Sequence, residues 1–274
     1  SGRAWSLLLC GQSQRDGMIP PSGGDIIEKL TVLDLFSGIG GFSLGLQRTG
    51  GFETIAFCEI DPFCRKVLAK HWPGVPCFED ITKLDKEELD SLGRIDVICG
   101  GFPCQDISCA GKGAGIHAER SGLWWEMLRI VRLVRPKFVL VENVAALLNR
   151  GLDEVLGSLA ESGYDAEWQV LSADMFGAPH KRRRMFIIAY PSDRRTERGI
   201  SSPGNAYPNV RRGGRKKDLR WEIDEPMLYR SDDGLPKKLH RDQRLKALGN
   251  AIVPQCSQYV GQCVLDSIRT EAAQ

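Results

Sequence analysis

Apolar and polar positions along this chain switch repeatedly between a period of two and a period near 3.6, and each switch marks an element. Leu30-Thr31-Val32-Leu33-Asp34-Leu35-Phe36 alternates and is rich in strand formers, which predicts a first central strand. Phe52–Cys58 predicts a second, Ile95–Cys99 a buried β-branched one, and Lys137–Val141 another. Between and after them the spacing is helical. Leu123, Trp124, Met127, Leu128, Val131 and Val134 form an apolar stripe over 121–135 that Pro136 ends. Leu152, Val155, Leu156 and Leu159 form a second stripe, and Val260, Val264 and Ile268 a last one. Pro62 opens a further helix at a position where its missing N–H costs nothing. Tyr164–Leu171 and Met185–Ala189 read as a strand pair. Strands alternating with helices predict an α/β fold, a mostly parallel sheet flanked by helices.

The pattern fails from 191 to 240, where Gly, Pro, Ser and Arg dominate and no period is sustained. This stretch is expected to be a small loop-rich insert, with 30–190 and 241–274 forming the main domain. Residues 1–29 are expected to be a loosely attached tail opening on a cloning remnant, its apolar patch Trp5–Cys10 being too short for a signal peptide. Charge sharpens the picture of the insert. The net charge is only +2, yet 181–220 holds thirteen Lys/Arg against three Asp/Glu, leaving −8 for the rest. A basic edge on an acidic body suits a polyanion, with solvated surface charge as the plain alternative. Nine cysteines without CxxC pairs argue against a disulfide framework and a zinc site, and point to a reducing cytoplasm. No apolar run approaches a membrane span.

Candidate chemistry gathers where strands end, the edge at which open α/β sheets bind ligands. Ser37-Gly38-Ile39-Gly40-Gly41 follows the first strand and turns into a helix, a geometry that lets backbone approach a nucleotide-like ligand. Ser43 stands where the last glycine of a GxGxxG fingerprint would fall, which weighs against a dinucleotide. Glu59 ends the second strand, placed to accept from a ribose diol, and Asp80 lies near the same rim; helix capping explains either equally well. Gly100-Gly101-Phe102-Pro103-Cys104 brings a thiol to a strand end, followed by a glycine-rich loop over 106–118 able to close as a lid. A buried cysteine in a tight turn is the alternative. Glu142-Asn143-Val144 brings a carboxylate to the same edge, costly to bury without a partner. Arg182 and Arg184 share one face of a strand entry; facing inward, they would pair with Glu142 and with phosphate.

In combination, 34–42, 101–105, Glu142-Asn143-Val144, Arg182/Arg184 and Gly249-Asn250 resemble the ordered motifs of the DNA (cytosine-5) methyltransferase family, from about Leu30 to Ile268. The resemblance implies a Rossmann-like S-adenosylmethionine-dependent methyltransferase fold with a short target-recognition region. It implies methyl transfer to C5 of a cytosine flipped out of double-stranded DNA, through a covalent bond between Cys104 and C6. Cys104, Glu142, Arg182 and Arg184 would be catalytic. Phe36, Gly38, Gly40, Glu59, Ile60, Asp80, Ile81, Pro103 and Asn250 would contact S-adenosylmethionine. Gln105, Ser108 and Lys112 in the lid and Arg211, Arg212, Arg215 and Lys216 in the insert would contact DNA. The implied protein is a monomer in a prokaryotic or phage-infected cytoplasm, with a cognate restriction endonuclease as a further partner and no metal.

Three departures from the family pattern stand out: His180 in place of glutamine, Ala251 in place of a small hydroxyl residue, and an insert of about fifty residues, short for target recognition. Three other readings remain open. A tRNA-methylating branch would be expected to carry a Cys-Phe-Thr signature, which is not apparent. A silent DNA-binding regulator would not need every catalytic position filled. A nicotinamide oxidoreductase fits poorly with Ser43.

Overall fold

Seven strands in the order β3-β2-β1-β4-β5-β7-β6 form the sheet around which the chain is built. The computed structural model describes residues 28–103, 122–194, 247 and 249–272. β1 (Leu30–Leu35) leads through a glycine turn into α1 (Gly41–Arg48), and β2 (Phe52–Cys58) into α2 (Pro62–His71). β3 (Cys77–Phe78), α3 (Lys86–Ser91) and β4 (Val97–Gly100) follow, then α4 (Leu123–Val134), β5 (Phe138–Val144) and α5 (Leu152–Glu161). The antiparallel pair β6 (Tyr164–Ser172) and β7 (Arg183–Pro191) and the long α6 (Pro254–Ala272) complete it. β3, β2, β1, β4 and β5 run parallel; β7 pairs antiparallel with both β5 and β6.

Apolar side chains fall on both faces of the sheet, as parallel strands covered on both sides require. Leu33, Leu35, Ile98, Val139 and Val141 pack toward Trp124, Met127 and Leu128 of α4 and Val155 and Leu159 of α5. Val32, Val97, Cys99 and Leu140 pack on the other face toward Phe42 and Leu46 of α1 and Val260 and Val264 of α6. This is the doubly wound, Rossmann-like architecture. From β1 the chain builds outward to β2 and β3, then returns across β1 to β4 and β5. The sheet therefore has its switch point between the carboxyl ends of β1 and β4.

The opposite edge of the sheet is closed by electrostatics. Asp96, just before β4, accepts from the Thr31 N–H at 3.1 Å and pairs with Arg94 and Lys137 at 3.0 Å each. Burial pushes its carboxyl up, and the Lys137 and Thr31 contacts outweigh this and hold it below the usual range. A pocket of about 280 Å³ lies there, and its cations are already engaged: Arg94 and Lys137 on Asp96, Lys86 on Asp90, and Arg135 on the Ser162 carbonyl.

Two strands extend by more than one residue beyond their sequence-based limits. β5 runs on through Glu142, Asn143 and Val144 because these pair with Phe186, Met185 and Arg184 of β7. β7 starts at Arg183 for the same reason, opposite Ser172. Chemically, Glu142 and Arg184 look like the end of a strand and a loop; the ladder draws both into the sheet.

Candidate active site

β1 ends into a turn whose backbone is under local strain. Phe36 has φ +53°, a left-handed conformation that costs a bulky residue energy and that tends to survive only where surrounding structure enforces it. Gly40 has φ +82°, and a Cβ there would lie 2.5 Å from the Trp72 ring, so both backbone and packing demand glycine. Ser37 ties the turn down. Its Oγ donates to the Asp34 carbonyl at 2.5 Å, and its N–H to the Cys58 carbonyl at 3.2 Å. No side chain of the N-cap residue, Gly40, caps α1. The carboxylate of Asp34, buried within β1, does so from a distance: it accepts from Ser43 Oγ at 2.6 Å and the Ser43 N–H at 3.3 Å. Burial raises the Asp34 carboxyl to about 7, against the lowering effect of the Ser43 bonds. Ser43, which spoils the dinucleotide fingerprint, is therefore what holds this turn to its strand.

Glu59, at the end of β2, faces the turn. One carboxylate oxygen accepts from the Gly38 N–H at 2.7 Å and the other from the Asp61 N–H at 2.7 Å, so each oxygen keeps a lone pair for another donor. The cap of α2 is Asp61, which accepts from the Phe63 N–H at 2.9 Å. Beside Glu59, Ile60 is 72% exposed, an apolar surface standing free at the ligand edge. Asp80 accepts from Thr82 N–H and Oγ1, bonds that hold its carboxyl low. The Ile81 side chain packs into the core, so any share it has in a ligand site falls to its backbone.

The exit from β4 and the end of β5 converge. A Cβ on Gly101 would lie 2.8 Å from Glu142 Oε2, and Asn143 Nδ2 donates to the Phe102 carbonyl at 3.2 Å. Backbone and carboxylate can come this close only because residue 101 has no side chain. Pro103 is the last described residue before Cys104. Glu142 is buried and paired with Arg184, Nε to Oε1 at 3.0 Å. Desolvation raises its carboxyl to about 7, and the guanidiniums of Arg184 and Arg182 hold it below what burial alone would produce. Of the two orientations open to these arginines, the inward one is observed, and they reach different partners. Arg184 takes the carboxylate; Arg182 Nη2 donates to the carbonyls of Gly249 at 2.7 Å and Ala251 at 2.9 Å. Asn250, between those carbonyls, is exposed.

Phe36, Gly38, Gly40, Glu59, Ile60, Pro103, Glu142, Arg182, Arg184 and Asn250 thus belong to segments along the carboxyl edge of the sheet. Cys104, Gln105, Ser108 and Lys112, and Arg211, Arg212, Arg215 and Lys216 of the stretch expected to be an insert, lie outside the described residues. Sequence reasoning did not single out Asp34, whose charge looks like an interruption in an apolar strand, or Asn143 as the tie to Phe102. Among the described residues, no helix is long and apolar enough to cross a membrane.

The family model for C-5 cytosine-specific DNA methylases matches residues 30–259. The chain belongs to the C-5 cytosine-specific DNA methylase family. Type II methyltransferase M2.BsuMI of Bacillus subtilis is 39% identical over 168 residues, covering 58% of this chain and 42% of that protein. Type II methyltransferase M.CviJI of Paramecium bursaria Chlorella virus IL3A is 32% identical over 229 residues, 83% of this chain and 57% of the other. This member of the methylase family spans about half the length of the curated relatives it matches. Among solved structures, the S. pombe Dnmt2 methyltransferase superposes with a TM-score of 0.51 at 24% identity over 60% of this chain and 51% of that one, a likeness of fold.

Proposed function

We propose that this protein transfers a methyl group from S-adenosylmethionine to C5 of a cytosine in double-stranded DNA, through a transient bond between Cys104 and C6. The observation that carries the reading is the convergence of the buried Glu142, its Arg184 partner and the Gly101 backbone three residues before Cys104. Family membership supports the same reaction type.

The cofactor reading rests on three features of the edge. Among the described residues the space around Gly38 is open: apart from its chain neighbours, none has an atom within 4 Å of a Cβ placed there. Glu59 keeps acceptor capacity after holding Gly38 and Asp61, which suits a ribose diol. Ile60 offers an apolar face to a purine. Phe36, Gly38 and Gly40 would line the pocket; Ile60, Asp80 and Ile81 would bracket the adenine; Pro103 and Asn250 would flank the methionine end. When bound, S-adenosylmethionine supplies an electrophilic methyl group on a sulfonium sulfur.

Cytosine C5 is too weak a nucleophile to take that methyl group unaided. Addition of the Cys104 thiolate to C6 places an electron pair at C5 and splits one hard step into two easier ones. Negative charge spreads toward N3 as the sulfur adds, and a protonated Glu142 can share its proton there, a contribution of about 3–4 kcal/mol by analogy with oxyanion donors. Arg184 fixes the carboxyl group so that it does not have to be reoriented. After the C5–methyl bond forms, the C5 proton passes to a base and the C6–S pair returns to sulfur, releasing methylcytosine and free Cys104. The target atoms are inaccessible inside a duplex, so the base must be flipped out to reach this edge. A DNA substrate, a cytoplasmic setting in a prokaryotic or phage-infected cell, monomeric action and a cognate restriction endonuclease are parts of the same proposal.

Cys104→Ala is the direct test of the nucleophile. The variant is expected to bind S-adenosylmethionine as the parent does, by calorimetry, and to incorporate no labelled methyl into duplex DNA. Methylation at the parental rate would refute the role given to Cys104.

A further inference from the structure

Residues 249–252 are gripped from several sides. Arg182 Nη2 donates to the carbonyls of both Gly249 and Ala251, the two neighbours of Asn250. The next residue, Ile252, lies against both halves of the site. Its carbonyl oxygen is 2.3 Å from where a Cβ on Gly41 would stand, at the start of α1. Its Cδ1 is 3.6 Å from the Cβ position of Gly101, beside Glu142. Ser257 Oγ, one turn into α6, adds a bond to the Gly41 carbonyl at 3.2 Å. One short segment is therefore wedged between the glycine turn after β1 and the exit from β4, and a charged side chain from another part of the chain fastens it.

We propose that Arg182 is a positioning residue: it clasps the backbone on both sides of Asn250 and so holds that side chain and the glycine turn in the geometry that binds S-adenosylmethionine. The assignment of that ligand rests on the function proposed above; the clasp itself does not. Arg182 and Arg184 then divide the work between cofactor and base. Arg184 sets the Glu142 carboxyl directly. Arg182, with its Nη2 committed to two main-chain carbonyls, acts on the cofactor side through 249–252 and the start of α1. Both bonds come from the single nitrogen Nη2, so a lysine ammonium at 182 has donors enough for the two carbonyls but lacks the planar group that fixes their direction, and it should replace the clasp only in part.

The test uses the full chain with Arg182→Ala, Arg182→Lys and Arg184→Ala, read by hydrogen–deuterium exchange and by calorimetric titration with S-adenosylmethionine. In Arg182→Ala, the amides of 250–253 and of Gly41 and Phe42 are expected to exchange faster, while those of β4 and of Lys137 at the far edge keep their parental rates. Its dissociation constant for S-adenosylmethionine should rise at least about tenfold, the scale of one or two charge-assisted hydrogen bonds. Arg182→Lys should recover part of both effects. Arg184→Ala should slow methyl transfer while changing the dissociation constant less than about twofold, since its partner is a side chain and not the wedge. Unchanged exchange at 250–253 in Arg182→Ala would overturn the clasp, as would equal loss of cofactor affinity in both alanine variants. A parent protein that bound no S-adenosylmethionine would instead refute the proposed function, and the exchange data would still decide the clasp.

Discussion

Glu142 shows how a single residue acquires chemistry from its surroundings. In water its carboxyl would be ionised at neutral pH; buried beside Gly101 it retains its proton to about 7, and Arg184 keeps the value from climbing further. A carboxyl whose pKa rises on folding binds its proton more tightly in the folded state. Its contribution therefore favours folding at low pH and is lost as pH climbs from the ordinary carboxyl range through about 7, which applies equally to Asp34. For catalysis the protonated form is the useful one. The pH profile of kcat/KM is thus expected to fall on its alkaline side with a midpoint near 7. Arg184→Met removes the nearer of the two guanidiniums that lower this pKa, and the one bonded to the carboxyl, so the falling limb should move to higher pH even as the maximum drops about 100-fold or more. A limb that stays in place, or moves to lower pH, would contradict the assignment to Glu142. The pairing of Glu142 with Arg184 was legible from the sequence as one of two orientations of the arginines. The role of Asp34 was not, because nothing local to a buried aspartate in a strand names a helix nine residues later as its partner.

At the level of elements, the sequence was most informative where one physical signal dominated. The limits of β2 were read without error, as an apolar β-rich run closed by an acid and a proline. The short α3 was overlooked although a signal existed: Asp85 and Glu88 form a reciprocal capping box, visible as an acid three residues before another. β5 and β7 ran past their expected limits because pairing across the ladder overrode the polarity of their ends. The packing of α1 on α6 was not visible at all, and it rests on small residues. A Cβ on Gly45 would meet Ser257 Oγ at 2.0 Å and the Pro254 carbonyl oxygen at 2.2 Å. Gly45→Ala should therefore destabilise the protein by about 1–3 kcal/mol despite the better helix propensity of alanine. A Cβ on Gly157 in α5 meets no described residue within 4 Å beyond its own helix, and Gly157→Ala should instead stabilise by about 0.5–1 kcal/mol. Urea unfolding of the two variants checks the contrast; destabilisation of similar size in both would show that the α1–α6 contact is looser than described.

At the scale of the whole molecule, the sheet separates two tasks. Its amino edge is locked by Asp96 with Arg94, Lys137 and Thr31, while its carboxyl edge leaves the Gly38 turn open, Ile60 bare and the Glu142 carboxyl raised to about 7 by burial. The ordered motifs made the carboxyl edge legible because 34–42, 101–105 and Glu142-Asn143-Val144 each fall at the end of a predictable strand. From spacing, Arg182 was legible only as a cation sharing a face with Arg184, inward or outward. Its carbonyl partners lie 67 and 69 residues further along, and backbone acceptors leave no signature in sequence. The central claim is that a sulfur atom adds to the pyrimidine ring. Duplex DNA bearing 5-fluorocytosine tests it most directly, because fluorine cannot leave C5 as the proton does, and the adduct is trapped after methyl transfer. With S-adenosylmethionine present, a denaturant-stable protein–DNA complex is expected, and mass spectrometry of its peptides should locate the linkage at Cys104. Methylation of ordinary cytosine in the same DNA without any trapped complex, or a linkage at another residue, would contradict the account.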